Sequence, residues 1–165
     1  MSAKLRVFLA ALLVAVPVDQ GTKLWVSHSL TYSDRIEVIG GFFYITHVRN
    51  PGAAFGLFTG ADPTLRLTFF IAISVVAIAV ILSFFRRLAP GDRFSALALG
   101  LILGGAIGNL IDRIAYGEVI DFLHFRLWSG YSWPDFNFAD SSIVVGVGLL
   151  VLELLASEGE QRATS

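Results

Sequence analysis

No cysteine occurs in the 165 residues. That absence excludes disulfides, thiolate metal sites, a cysteine nucleophile and any lipid-bearing cysteine of the chain's own. Charge is scarce as well. Twelve Lys and Arg face 13 Asp and Glu, 15% of the chain, where soluble domains carry about 25%. The net charge of −1 offers no basic field, so no nucleic-acid partner is expected. His28, His47 and His124 are too scattered to form a metal-ligand spacing with carboxylates, and neither a metal nor a cofactor is expected. A glycine-rich phosphate loop after a strand and a GxSxG nucleophile turn are both missing.

What fills the chain is apolar: 55% of residues are hydrophobic, with a mean hydropathy of +0.72. This is the composition of a membrane protein. Residues 67–85 ("LTFFIAISVVAIAVILSFF") are 19 without a charge, and 94–111 are 18; a helix needs about 20 to span the hydrocarbon. Two weaker segments flank them. Residues 7–18 give 12 uncharged positions before Asp19 and Lys23 interrupt, and the run reaches 20 only if extended to 26. Residues 136–156 carry Asp140 near the start and Glu153 near the end. A cleaved signal peptide is the alternative for the first segment, but a site near Ala15 places Leu13 where a small residue belongs.

The fold class expected is a membrane all-α bundle of four transmembrane helices, about 5–26, 67–85, 94–116 and 139–156, forming one integral membrane domain over 1–165. The short loop "RRLAPGDR" reads as cytoplasmic from its three arginines, as do Lys4 and Arg6. Both termini are then cytoplasmic. Residues 36–50, "IEVIGGFFYITHVRN", are β-branched and aromatic with a Gly-Gly break and predict two short strands, followed by a turn in "NPGAAFGLF". They form an extracytoplasmic β-rich insertion over about 30–62. An extracytoplasmic loop over about 117–138 contains "FRLWSGYSWPD", whose Trp and Tyr suit a membrane–water interface.

The polar residues inside this apolar chain need a reason. Gly100, Gly104 and Gly108 recur at spacing four, which lets helices approach closely. At about 100° per residue, Gly105, Gly108, Asn109, Asp112 and Arg113 share one broad face turned to the bundle. Asp112 beside Arg113 is either a polar lock between helices or part of a site, and the adjacent guanidinium would hold Asp112 ionised. Asp19 and Lys23, at i and i+4, can pair on one helix face; a salt bridge at a helix mouth and a functional pair are both open. Asp121 and Asp140 differ from these. Neither has a Lys or Arg within four positions, and both fall at the same membrane face, separated by 18 residues. Two carboxylates brought together at a semi-dry surface cannot both ionise easily, so one becomes an acid and the other a base. An N-cap role for Asp140 is the plain alternative.

Five blocks, "DQGTK" (19–23), "NPGAAFG" (50–56), "GGAIGNLIDR" (104–113), "VIDF" (119–122) and "FNFADSS" (136–142), occur in order over most of the chain. Together they resemble the lipoprotein signal peptidase, or signal peptidase II, family. No acid departs from the pattern, and Pro51 stands at a variable position. The resemblance implies a multi-pass aspartyl endopeptidase of the bacterial cytoplasmic (inner) membrane. It would cleave the signal peptide from a lipid-modified prolipoprotein just before the diacylglyceryl cysteine, with its site toward the extracytoplasmic face and a mobile periplasmic loop. By motif, Asp121 and Asp140 are the catalytic pair. Asp19, Lys23, Asn50, Asn109, Asp112, Arg113 and Asn137 become substrate-binding or site-supporting residues. The partners implied are the prolipoprotein, membrane lipids and the inhibitor globomycin, and a monomer is expected. Two rivals remain. A small transporter would spread polar groups through the membrane depth, whereas 67–85 carries no charge. A non-catalytic scaffold would keep its function without Asp121 and Asp140.

Overall fold

Helix ends in this protein follow capping chemistry rather than the edges of charge-free runs. The structure, a computed structural model, describes residues 1–52, 60 and 62–163, with side chains throughout except at Ser129 and 158–163. Helix α1 (Ala3–Ser29) starts on Ser2, whose hydroxyl accepts from the Leu5 N–H. Strands β1 (Arg35–Ile39) and β2 (Phe43–Asn50) follow. Helix α2 (Pro63–Arg87) starts on Asp62, which accepts from the Thr64 and Leu65 N–H groups ahead of a first-turn proline. Helix α3 (Phe94–Tyr116) stops at Gly117, whose φ of +76° suits glycine. Strand β3 (Val119–Phe125) and helix α4 (Phe138–Ala163) complete the chain. All four helices are long and apolar enough to cross a membrane. Three of them outrun the spans expected at 5–26, 67–85 and 139–156. The caps of α1 and α2 lie beyond the apolar stretch, and α2 keeps Arg66, Arg86 and Arg87 within the helix.

Helix α3 is the centre of the bundle, and its glycines explain why. A Cβ at Gly100 would lie 2.8 Å from the Ala11 Cβ, and one at Gly104 would lie 2.6 Å from the Ala15 Cβ, so this face admits α1 at backbone distance. Gly105 is pressed against the Ala139 carbonyl of α4, and Gly108 against the Asp19 carboxylate. The stripe is therefore shared between two neighbours. At the far end Phe8, Ile81, Ala96, Leu99 and Leu103 form an apolar cluster, with Phe85 stacked on Phe8 at 4.0 Å. Lys4 donates to the Phe85 and Leu88 carbonyls, capping the C-terminus of α2. Glu153, an acid within the last apolar run, meets Ser95 Oγ at 2.6 Å.

The sheet corrects the sequence reading. It has three antiparallel strands in the order β1-β2-β3. The third lies at 119–125, inside the stretch expected to be loop. Its partner is β2, with Val48 opposite Asp121 and Asn50 opposite Val119. That pairing spans about seventy residues of sequence, and local pattern does not reveal a partner so distant. The β2–β3 register shifts between Ile45 and Val48, so Thr46 and His47 sit in a bulge. Val26, Ile120 and Phe122, with Ile45 and Phe138 packed on them, join the sheet to the mouths of α1 and α4. Beyond Gly52 the expected "NPGAAFG" turn lies outside the described residues.

The Gly104 approach has a measurable consequence. Gly104→Ala should lower stability by about 1–3 kcal/mol through overpacking against Ala15. A thermal unfolding midpoint in detergent reads this loss. Adding Ala15→Gly should recover part of it.

Candidate active site

The mouths of α1, α3 and α4 meet β2 and β3, and here the buried polar residues collect. Asp19, Lys23, Asn109, Asp112, Asp121 and Asn137 are all buried. Lys23 organises the first half. Its Nζ lies 2.9 Å from Asp19 Oδ2 and 2.9 Å from Asp112 Oδ2, and donates to Asn109 Oδ1 at 2.9 Å. An ammonium has three N–H bonds and all three are used. The carboxylates are satisfied in turn. Asp19 Oδ1 accepts from the Ala139 N–H in the first turn of α4 at 2.9 Å, and Asp112 Oδ2 accepts from the Ile120 N–H at 3.0 Å. The first contact also sets a negative charge at the positive end of the α4 dipole. Gln20, which the sequence reading did not single out, donates to Asp112 Oδ1 at 3.0 Å, to Asp19 Oδ2 at 3.1 Å and to the Gly108 carbonyl at 3.1 Å. The signal was present: Gln20 stands inside "DQGTK", between the two charged residues.

Arg113 is a correction. It was expected to partner Asp112, but the cation in contact with that carboxylate is Lys23, at 2.9 Å. The Arg113 guanidinium lies instead over the Phe70 ring, 5.2 Å from its centroid, and donates to the Asn109 carbonyl at 3.4 Å. Adjacent residues on a helix diverge by about 100°, so Asp112 turns inward while Arg113 reaches α2.

The second half is built from amides. Asn109 Oδ1 faces Lys23, which turns its Nδ2 to Asp140 Oδ1 at 2.8 Å. Asn137 Nδ2 donates to Asp121 Oδ1 at 2.7 Å and to Asn109 Oδ1 at 3.1 Å. Asn137 and Asp140 also exchange bonds: the Asp140 N–H donates to Asn137 Oδ1 at 2.9 Å, and the Asn137 N–H to Asp140 Oδ2 at 3.2 Å. This is a capping box at the start of α4. The cap residue is thus Asn137, and Asp140 is its partner three positions on, not the cap itself. Asn50, at the end of β2, donates to Asp121 Oδ2 at 2.8 Å, its orientation set by accepting the Gly52 N–H at 2.8 Å. Asp121 and Asp140, 19 positions apart in the sequence, are therefore bridged by one residue, Asn137, whose side-chain amide donates to the Asp121 carboxylate and whose backbone N–H donates to the Asp140 carboxylate.

Burial pushes the Asp121 carboxyl up to about 7; the Asn50 hydrogen bond opposes this, the Asp140 charge adds to it, and Asn137 and Lys23 oppose it. A cleft of about 390 Å³ opens beside the pair, lined by Asp140 and Ser141 with Trp133, Phe136, Val144 and Val145. One carboxylate of the bridged pair thus borders an apolar space at the membrane mouth. The three histidines lie apart, on the Leu24 and Leu30 carbonyls and on Asp135.

Fold and site set the class: a multi-pass membrane protein that gathers its polar side chains at one end of the bundle, around a bridged pair of carboxylates. Residues 10–156 match the family model described as signal peptidase (SPase) II. A protein of Geobacter sulfurreducens named lipoprotein signal peptidase is 47% identical over 158 residues, 96% of this chain and 97% of that one. Its namesake from Geobacter metallireducens is 45% identical over 161 residues, 98% of each. A solved bacterial membrane enzyme structure matches with a TM-score of 0.81 at 36% identity, covering 93% of this chain and 90% of the other. A second such structure gives 0.79 at 37% identity, with coverage of 90% and 92%. The chain belongs to the signal peptidase II family and is an aspartic peptidase.

Removing the buried cation tests the charged half. Lys23→Met leaves Asp19 and Asp112 without their shared partner, and such a loss costs about 3–5 kcal/mol. Denaturant unfolding of the detergent-solubilised protein should show a drop of that size.

Proposed function

We propose that this chain removes signal peptides from prolipoproteins, cleaving just before the diacylglyceryl-modified cysteine, with Asp121 and Asp140 as the catalytic pair and a water as nucleophile. The observation that carries this reading is the bridge through Asn137, whose side-chain amide and backbone N–H hold the Asp121 and Asp140 carboxylates in one hydrogen-bond set beside an apolar cleft. Family membership and the names of the relatives support the substrate class.

The environments of the two acids divide their roles. Asp121, pushed up to about 7 by burial, is the member that carries the proton. Asp140, in the first turn of α4 and on the lining of the cleft, is the base. Asp140 takes a proton from water as the water oxygen attacks the scissile carbonyl carbon. Asp121 gives its proton to the carbonyl oxygen, forming a neutral tetrahedral intermediate. On collapse, the proton on Asp140 passes to the leaving nitrogen, Asp121 recovers a proton from the hydroxyl, and the C–N bond breaks. Asn50, Asn109 and Asn137 keep the carboxylates oriented.

In this reading the sheet end faces the extracytoplasmic side of the bacterial inner membrane and both termini face the cytoplasm. The substrate's signal helix enters sideways from the bilayer, its lipid against the apolar faces beside Val144 and Val145. The enzyme acts as a monomer and globomycin inhibits it.

Asp121→Asn and Asp140→Asn, made separately, should each lower turnover of a diacylglyceryl-modified prolipoprotein by about 100- to 10,000-fold. A mobility-shift assay on gels reads cleavage, and wild-type turnover in either variant would remove the pair from the mechanism. The pH profile gives a second test. The Asp121 proton is held below about 7 and lost above it, so kcat should fall on the alkaline side of that value. The Asn50 bond stabilises the anion, so Asn50→Ala should move that alkaline limb to higher pH.

A further inference from the structure

Outside the catalytic network, a second polar group joins three separate pieces of the extramembrane structure. Asp135 Oδ1 accepts from Thr46 Oγ1 at 2.8 Å and lies 3.2 Å from His124 Nδ1. Thr46 belongs to β2, His124 to β3, and Asp135 to the loop that descends into α4. The bulge between Ile45 and Val48 turns Thr46 out of the regular alternation and makes it available to the loop. We propose that Thr46, His124 and Asp135 form a clamp that sets the aromatic wall of the substrate cleft, making Asp135 a specificity-determining positioning residue. The proposal rests on the reading of Asp121 and Asp140 as the catalytic pair.

The wall is Trp133 and Phe136, and it divides two apolar spaces. One is the 390 Å³ cleft that contains Asp140; the other, about 240 Å³, lies between the wall and Phe125 and Leu127. The two wall residues are held differently. Phe136 is tied to β3, donating its N–H to the Leu123 carbonyl and accepting from the Phe122 and Leu123 N–H groups. Among the described residues Trp133 has one main-chain bond, to the Phe125 carbonyl at 2.8 Å, and it is 53% exposed. Its placement depends on the segment that carries it, and Asp135 anchors that segment two residues on. Asn137, by contrast, is fully buried and bonded to Asn109, Asp121 and Asp140. Loosening the clamp therefore moves the wall and leaves the catalytic amide in place. The clamp acts on substrate fit, not on the chemical step. Because His124 and Asp135 are partly exposed, at 19% and 23%, the ionic share of their contact is small. The hydrogen-bond acceptor matters more than its charge.

The test uses the full chain in detergent with a diacylglyceryl-modified prolipoprotein. Thr46→Val and Asp135→Ala should raise KM by about fivefold, the size expected for one lost neutral hydrogen bond, with kcat within about twofold of wild type. Thr46→Ser and Asp135→Asn keep a donor and an acceptor and should restore wild-type KM. An unchanged KM in Thr46→Val, a fall in kcat at constant KM, or failure of the conservative variants to rescue would overturn the clamp. If Asp135→Ala does not fold, the Thr46 pair decides alone. Turnover by Asp121→Asn or Asp140→Asn would instead overturn the catalytic reading, whatever the clamp variants do.

Discussion

A single ammonium group, Lys23 Nζ, is the constraint on which the polar end of the bundle depends. It is 1% exposed and meets two carboxylates and one amide oxygen. A buried charge is tolerable only when paired and hydrogen-bonded, so its three partners must stay where they are. Those partners come from α1 and α3, and through Asp19 and Asp112 the network reaches the first turn of α4 and the start of β3. Lys23 also sets which way the Asn109 amide points. With the oxygen toward the cation, the nitrogen faces Asp140; the reverse orientation would put N–H against ammonium and oxygen against carboxylate.

The result is a cluster in two halves with different duties. In the charged half Asp19 and Asp112 share one cation, Lys23. In the amide half the donors on the Asp121 and Asp140 oxygens, among the described residues, are neutral. Neutral donors orient a carboxylate without neutralising it, and this leaves room for the pair to share a proton. The start of α4 serves both ends at once, because the capping box that begins the helix also places Asp140. The apolar cleft beside it, with Val144 and Val145 70% and 53% exposed, suits a substrate that arrives from lipid.

The bundle and the acids were readable from one chain because each leaves a local signal. Spanning segments show as charge-free runs, and an acid in such a run stands out by its cost. The blocks around Asp19, Asp112, Asp121 and Asp140 follow in order, which is why the family was legible before any geometry. Local signals end where pairing is long-range. Strand β3 reads as loop because its partner lies in β2, and Arg113 reads as the partner of Asp112 because sequence adjacency resembles contact.

By itself, then, the sequence determined four spans, the residues of the polar cluster other than Gln20, and the family, since hydropathy and residue type are properties of short segments. Tertiary structure alone decided which cation holds Asp112, which way each amide points and that Asn137 bridges Asp121 to Asp140. It also decided that Thr46, His124 and Asp135 meet. Those outcomes depend on helix rotation and strand register, and these are set only when α1, α3, α4 and the sheet pack against one another.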